Sequence, residues 1–339
     1  MKRFVPEKKF RYKSEDSGKV YFFALVAILG LNLIFSLIAD GIARQSSDST
    51  VALKEIYSST LFNSLFGVCS LVVLLTVFFL HLKIENYSIS ASKINKKLDW
   101  KTILICIAIG FIALFGLQYL TGIFEDVLKL VKFPFSSATT NVSNFGYYIL
   151  AVIILCVVPA IGEEIIFRGV ILNGLTNRYQ KWGAIALTSL MFAIFHMNLQ
   201  QVFYQFLLGM IMGWVVIKTG SLLASMIVHF TSNFIVVTCE FIHVKTGFSF
   251  ELAHTWWFYI LALVLAGLTF ALLYLIEKFY FGKKEQQCQT TEVSESQNKE
   301  EKPSDVSDHE VKTSGYVWLG LIVAVAILVV GTVSSYLAG

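Results

Sequence analysis

Charge is scarce in this chain. Asp, Glu, Lys and Arg together make up 15% of its 339 residues, too little to clothe a water-soluble protein of that size. Cysteine is sparse as well. Cys69, Cys106, Cys156, Cys239 and Cys288 lie far apart, with no CxxC and no Cys/His metal spacing. That excludes a disulfide framework and a zinc finger, and four of the five read as small apolar helix residues. No serine sits in G-x-S-x-G, no cysteine adjoins a histidine, and H-E-x-x-H is missing. Nucleophile-elbow hydrolases and single-helix zinc peptidases are therefore not indicated. No internal repeat is visible. No small-residue cleavage site follows the first apolar run, Val20 to Ala39, so that run is expected to be a retained helix, not a removed signal peptide.

What the chain has is apolar length. Hydrophobic residues reach 56% and mean hydropathy is +0.68, in several runs near twenty residues. The fold class expected is all-α, a polytopic membrane helix bundle of about eight core helices plus one extra C-terminal helix. The predicted helices are 20–39, 61–82, 101–120, 146–176, 182–197, 201–218, 222–243, 256–280 and 316–337. The fifth and sixth are short for a full crossing, which takes ~20 residues. Trp100, Trp182, Trp256 and Trp257 fall near helix ends, as an interfacial belt requires. Of the 27 lysines and arginines, 21 fall in segments that are cytoplasmic if the N-terminus is. Five fall on the other side, and Arg168 alone lies within an apolar run. The positive-inside rule then predicts a multi-pass protein of the cell membrane, its N-terminus cytoplasmic and its C-terminus external.

The expected organisation is a basic cytoplasmic segment 1–19 and a transmembrane bundle 20–281. A disordered cytoplasmic linker 282–315 follows, rich in Gln, Glu, Lys and Ser, and then an appended helix in 316–339. Segment 121–145 reads as a short amphipathic helix on the outer interface, ended by Pro134. His81, His243, His254 and His309 carry no site signal.

The residues able to do chemistry fall in the fourth to seventh predicted helices. Gly162-Glu163-Glu164-Ile165-Ile166-Phe167-Arg168-Gly169 places two carboxylates and a guanidinium inside an apolar run. Ionisable groups at membrane depth are costly and mark sites facing a cavity or the bundle interior. Glu164 and Arg168, four apart, are predicted to pair along one helix face. Glu163 points about a third of a turn away. Phe192 and His196 share a face of the fifth predicted helix, and His229 and Asn233 share one of the seventh. At ~1.5 Å per residue, Glu163, His196, His229 and Asn233 fall in one slab about 10–20 Å from the cytoplasmic ends. A desolvated carboxylate beside a histidine can deprotonate a water. A second histidine and an amide can donate hydrogen bonds to a tetrahedral oxyanion.

Three motifs carry a resemblance. EExxxR reads here as Glu163-Glu164-Ile-Ile-Phe-Arg168, FxxxH as Phe192-Ala-Ile-Phe-His196, and HxxxN as His229-Phe-Thr-Ser-Asn233. In this order and spacing, on adjacent apolar helices, they resemble the CPBP (Abi) family of intramembrane proteases. That family includes the CAAX prenyl endopeptidases and bacteriocin-processing or immunity proteins. The resemblance covers about 145–240 and leaves out the linker and the last helix. It implies an intramembrane endopeptidase with Glu163 as general base helped by His196. It further implies His229 and Asn233 at the oxyanion, and Glu164, Arg168 and Phe192 orienting substrate or holding structure. Both metal-free and metallo-endopeptidase chemistry fit the family. A metal-free site is expected, and a divalent ion such as Zn would instead take Glu163, Glu164, His196 and His229.

The implied partners are membrane lipid and a peptide or lipidated protein, with a membrane-protein partner in addition and no nucleic acid. Two other classes compete. One is a catalytically silent membrane partner with the same fold, such as an immunity protein or sensor-kinase modulator. The other is a proton-coupled transporter, which inverted repeats or paired broken helices would signal.

Overall fold

The structure is a computed structural model and describes residues 8–94, 96–133, 142–248, 256–282, 319–326 and 329. Residues 283–315 of the predicted linker and most of the last predicted helix lie outside these residues. The described chain is helical throughout. Outside the helices, its strand-like pairing is one parallel bridge between Lys9 and Tyr87.

Among the described residues the main helices are, in order, α1 (Ser14–Ala43), α2 (Ser49–Ser58), α3 (Thr60–Glu85), α4 (Trp100–Leu130), α5 (Phe145–Leu175), α6 (Lys181–Phe195), α7 (Leu199–Thr219), α8 (Leu222–Thr246) and α9 (Trp256–Phe281). Seven of them are long and apolar enough to cross a membrane, and α6 is a shorter apolar helix. The result is a polytopic helical bundle. Leu33, Leu37, Leu65, Val72, Leu263 and Leu268 project outward from it, an apolar exterior suited to lipid and not to water. The buried core runs between α1, α3, α4, α5, α6, α7 and α8, and Leu321 and Ala324 of the last described segment join it.

Two elements differ from expectation. The outer segment after the third predicted helix is no separate helix: α4 continues without a break to Leu130, because no proline or glycine pair interrupts it. The stretch from 134 to 141 lies outside the described residues. The polar connection after α1 contains α2, started by Asp48, whose carboxylate accepts from the Thr50 and Val51 amides as an N-cap does.

The helix that carries the glutamates is irregular for stated reasons. α5 is α-helical from Phe145 to Val152, then forms π turns over Ile153–Val157 and Ile165–Leu172. π turns leave carbonyls short of donors, and such bulges concentrate at functional sites. Side chains supply the donors here. Asn173 Nδ2 donates to the Arg168 and Gly169 carbonyls at 3.0 and 2.8 Å. Ser17 Oγ of α1 donates to Ile171 O at 2.9 Å. Asn233 Nδ2 of α8 donates to Leu155 O at 2.8 Å. Pro159 has no amide hydrogen, so the Leu155 carbonyl four residues before it cannot be served in the ordinary helical way.

Candidate active site

α5, α6, α7 and α8 converge on the two glutamates. The carboxylate of Glu164 is fully buried. Its Oε1 accepts from Arg168 Nη1 at 2.7 Å, one helical turn on, and lies 3.0 Å from Nδ1 of His229 on α8. The predicted Glu164–Arg168 pair is thus present, and His229 joins it. Arg168, also fully buried, passes Nη2 to the Gly209 carbonyl of α7 at 3.3 Å. Gly209 also lets α7 pack closely on α6: a Cβ there would press on Ser189 at 3.0 Å. A buried ion pair is tolerated only when its remaining valences are met. Glu164, Arg168, His229 and the Gly209 carbonyl meet most of them.

Phe192 fills the centre of this arrangement and is completely buried. The Arg168 guanidinium lies over its ring, 4.4 Å from the centroid. The imidazoles of His196 and His229 meet the same ring edge-on, at 4.8 and 5.9 Å. One aromatic side chain therefore sets the spacing of a cation and two histidines.

Glu163 and His196 form a second, more open pair. Each side chain keeps 18% of its surface exposed, against none for Glu164 and Arg168. His196 closes the C-terminal end of α6, where its amide bonds back to Ala193 and Ile194. Its Nδ1 lies 2.9 Å from Phe192 O. A carbonyl only accepts, so Nδ1 carries the hydrogen and Nε2 is left to face outward. Nε2 faces Glu163 Oε2 at 3.9 Å. That is too long for a direct hydrogen bond, and Oε2 is buried without a partner.

The seven predicted site residues are thus gathered by three helices, α5, α6 and α8, but not as one set. Glu163 and His196 face each other. Glu164, Arg168 and His229 bind one another around Phe192. Asn233 reaches the same helix as the glutamates yet spends one amide hydrogen on Leu155. The four ligands proposed for a metal are divided between two pairs, and among the described residues no group of three or more His, Cys, Asp or Glu side chains is placed to hold a metal ion. The arrangement does not fit a zinc centre built from that set. Sequence reasoning missed Asn173 and Ser17, which serve the π carbonyls beneath Arg168. Asn173, a polar residue within the same apolar run, was the available signal.

Residues 145–235 match the family model described as type II CAAX prenyl endopeptidase Rce1-like. The match contains all three motifs. No curated protein matches the chain, and no solved structure does.

Proposed function

We propose, on the match of residues 145–235 to that family model, that this protein is an intramembrane endopeptidase of the CPBP type that hydrolyses peptide bonds of membrane-associated peptides or proteins with a glutamate-activated water. CAAX-type prenylated C-termini, bacteriocin leaders and other processed membrane peptides are its substrate class. The observation that carries the reading is the 3.9 Å gap between Glu163 Oε2 and His196 Nε2. Two polar atoms at that separation suit a shared water better than a direct bond.

In this reading the water gives its proton to Glu163 as its oxygen attacks the scissile carbonyl carbon. His196, its Nδ1–H tied to the Phe192 carbonyl, holds the water from Nε2. The carbonyl oxygen becomes an oxyanion and faces His229 and the second amide hydrogen of Asn233. On collapse the C–N bond breaks, and Glu163 returns the proton to the leaving amine. Glu164 and Arg168 do not exchange protons with substrate. They fix His229 and, through Phe192, His196.

The division of labour has a direct test. Full-length wild type and variants are purified in detergent micelles and given a quenched fluorescent farnesylated peptide with a C-terminal CAAX sequence. Glu163→Gln and His196→Ala are expected to lose at least a hundredfold in kcat while eluting as folded protein. Glu164→Gln is expected to lower the yield of folded protein, because it leaves Arg168 buried and uncompensated. Full activity in folded Glu163→Gln would overturn the reading in favour of a silent membrane partner. Wild-type activity is expected to survive a zinc chelator, and its stoichiometric loss and recovery on zinc addition would reassign the water to a metal.

A further inference from the structure

Several buried polar atoms on α5 and α7 have no hydrogen-bond partner. Glu163 Oε2, Glu164 Oε2 and Gln205 Oε1 are acceptors, Arg168 Nε is a donor, and the Tyr204 hydroxyl can be either. Buried polar atoms in a native fold are otherwise paired, so these need a partner from outside the protein. Acceptors outnumber donors, which favours a partner rich in N–H or O–H. Gln205 belongs to α7 and to none of the three motifs.

Its position follows from helix register. Gln205, Leu208 and Met212 are spaced i, i+3 and i+7 on α7, so they share one face. Leu208 and Met212 are completely buried, so that face turns inward. The adjacent Tyr204 turns instead toward Ser232 of α8. The chain reverses between α5 and α6 and again between α6 and α7, so α7 runs in the direction of α5. Gly213 and Gly209 lie against Ile185 and Ser189 of α6, which runs the opposite way. Each step of four residues on one helix matches four on the other, about 6 Å. One turn further, Gln205 is therefore opposite Ala193, beside Phe192 and one turn from His196.

We propose that Gln205 is a substrate-binding residue of this site, its side-chain oxygen accepting the backbone N–H of a peptide bond flanking the scissile one. A peptide in a water-poor cavity must satisfy its own amides. An acceptor beside the attacking pair can hold the strand so that the scissile carbonyl meets the water. The inference rests on the endopeptidase reading, and the following experiment separates the two.

Binding of the farnesylated CAAX peptide to full-length Glu163→Gln protein in micelles is measured by fluorescence anisotropy. A series of peptides has single backbone amides replaced by esters, which removes one N–H at a time. One ester near the cleavage position is expected to weaken binding roughly tenfold. With Gln205→Met added, the all-amide peptide is expected to bind roughly tenfold more weakly, and that ester to cost nothing more. Size-exclusion elution confirms folding, and Gln205→Asn provides a second variant. The proposal falls if no ester weakens binding, if the ester penalty is the same with and without Gln205, or if the peptide does not bind. If binding follows the expected pattern but wild type cleaves nothing, the catalytic reading fails and the binding role of Gln205 stands.

Discussion

Asn233 performs a structural duty whatever it does in catalysis. Its amide replaces the helical hydrogen bond that Pro159 cannot give to Leu155. Asn233→Ala is expected to lower stability by about 1–3 kcal/mol, the cost of an orphaned buried carbonyl. In a Pro159→Ala background, where α5 can supply its own donor, the same substitution is expected to cost less. Thermal melts of the four proteins in micelles check this, and an equal cost in both backgrounds would disprove the link. The spacing of Glu164 and Arg168 was legible in the sequence because both sit on one helix. The tie from His229 to Glu164 was not, because it joins residues 65 apart and depends on how α8 is turned. The same limit hid Gln205: a lone glutamine in an apolar run has no motif, and only its place across from α6, beside Phe192, distinguishes it.

At the scale of the element, α5 is held in its irregular path by neighbours. At Gly174 an added Cβ would meet Ser17 Oγ and, at 2.7 Å, the Lys13 carbonyl. Backbone cannot yield as a flexible side chain does. Gly174→Ala is expected to destabilise by about 1–3 kcal/mol. Gly183→Ala, whose Cβ would find ordinary contact with Tyr179 at 3.8 Å, is expected to be neutral. Comparing the two melting temperatures tests whether α1 and α5 are locked together there. The existence of the long apolar helices was readable from run length alone, whereas α2, in a polar connection, was not. Helix ends were not: α4 overran its predicted end because charged residues at its outer end, Glu125, Asp126 and Lys129, are compatible with a continuing helix. The π turns left no mark that periodicity could register, since they are made good by single polar side chains, Asn173 of α5 itself and Ser17 and Asn233 of other helices.

Across the whole molecule, the N-terminal strand-like segment ties the bundle together. Lys9 pairs through its backbone with Asn86 and Ser88. Tyr12 shares a 2.6 Å hydrogen bond with Ser92, and its carbonyl accepts from Asn177 just after α5. Tyr87 donates to Asp16 at 2.7 Å, with His81 stacked on its ring and 3.5 Å from the same carboxylate. Burial pushes the Tyr12 hydroxyl up to about 12 and raises Tyr87 as well, by burial and then by its bond to Asp16. Unfolded tyrosine ionises near ~10. A raised folded value means this stability is complete below pH ~10 and is lost as pH climbs through the folded value. Wild type is therefore expected to lose up to about 2–3 kcal/mol of Tyr12's contribution between pH ~10 and ~12. Melts across that range should fall more steeply for wild type than for Tyr12→Phe, and parallel curves would disprove the strap's role. Composition revealed the membrane bundle, but nothing in a basic N-terminus announced a clasp.

One dimension of the fold bears on the lipid itself. α6 has 15 residues, so it is ~22 Å long in a hydrocarbon layer of ~30 Å. His196 ends it, and the polypeptide turns back through Met197 and Asn198 into α7. The last five residues of α6, Met191 to Phe195, are all buried, so the chain reverses inside the bundle, about 8 Å short of a full crossing. Such a reversal at membrane depth is tolerated only where protein or a water-filled cavity surrounds it, never against the acyl tails.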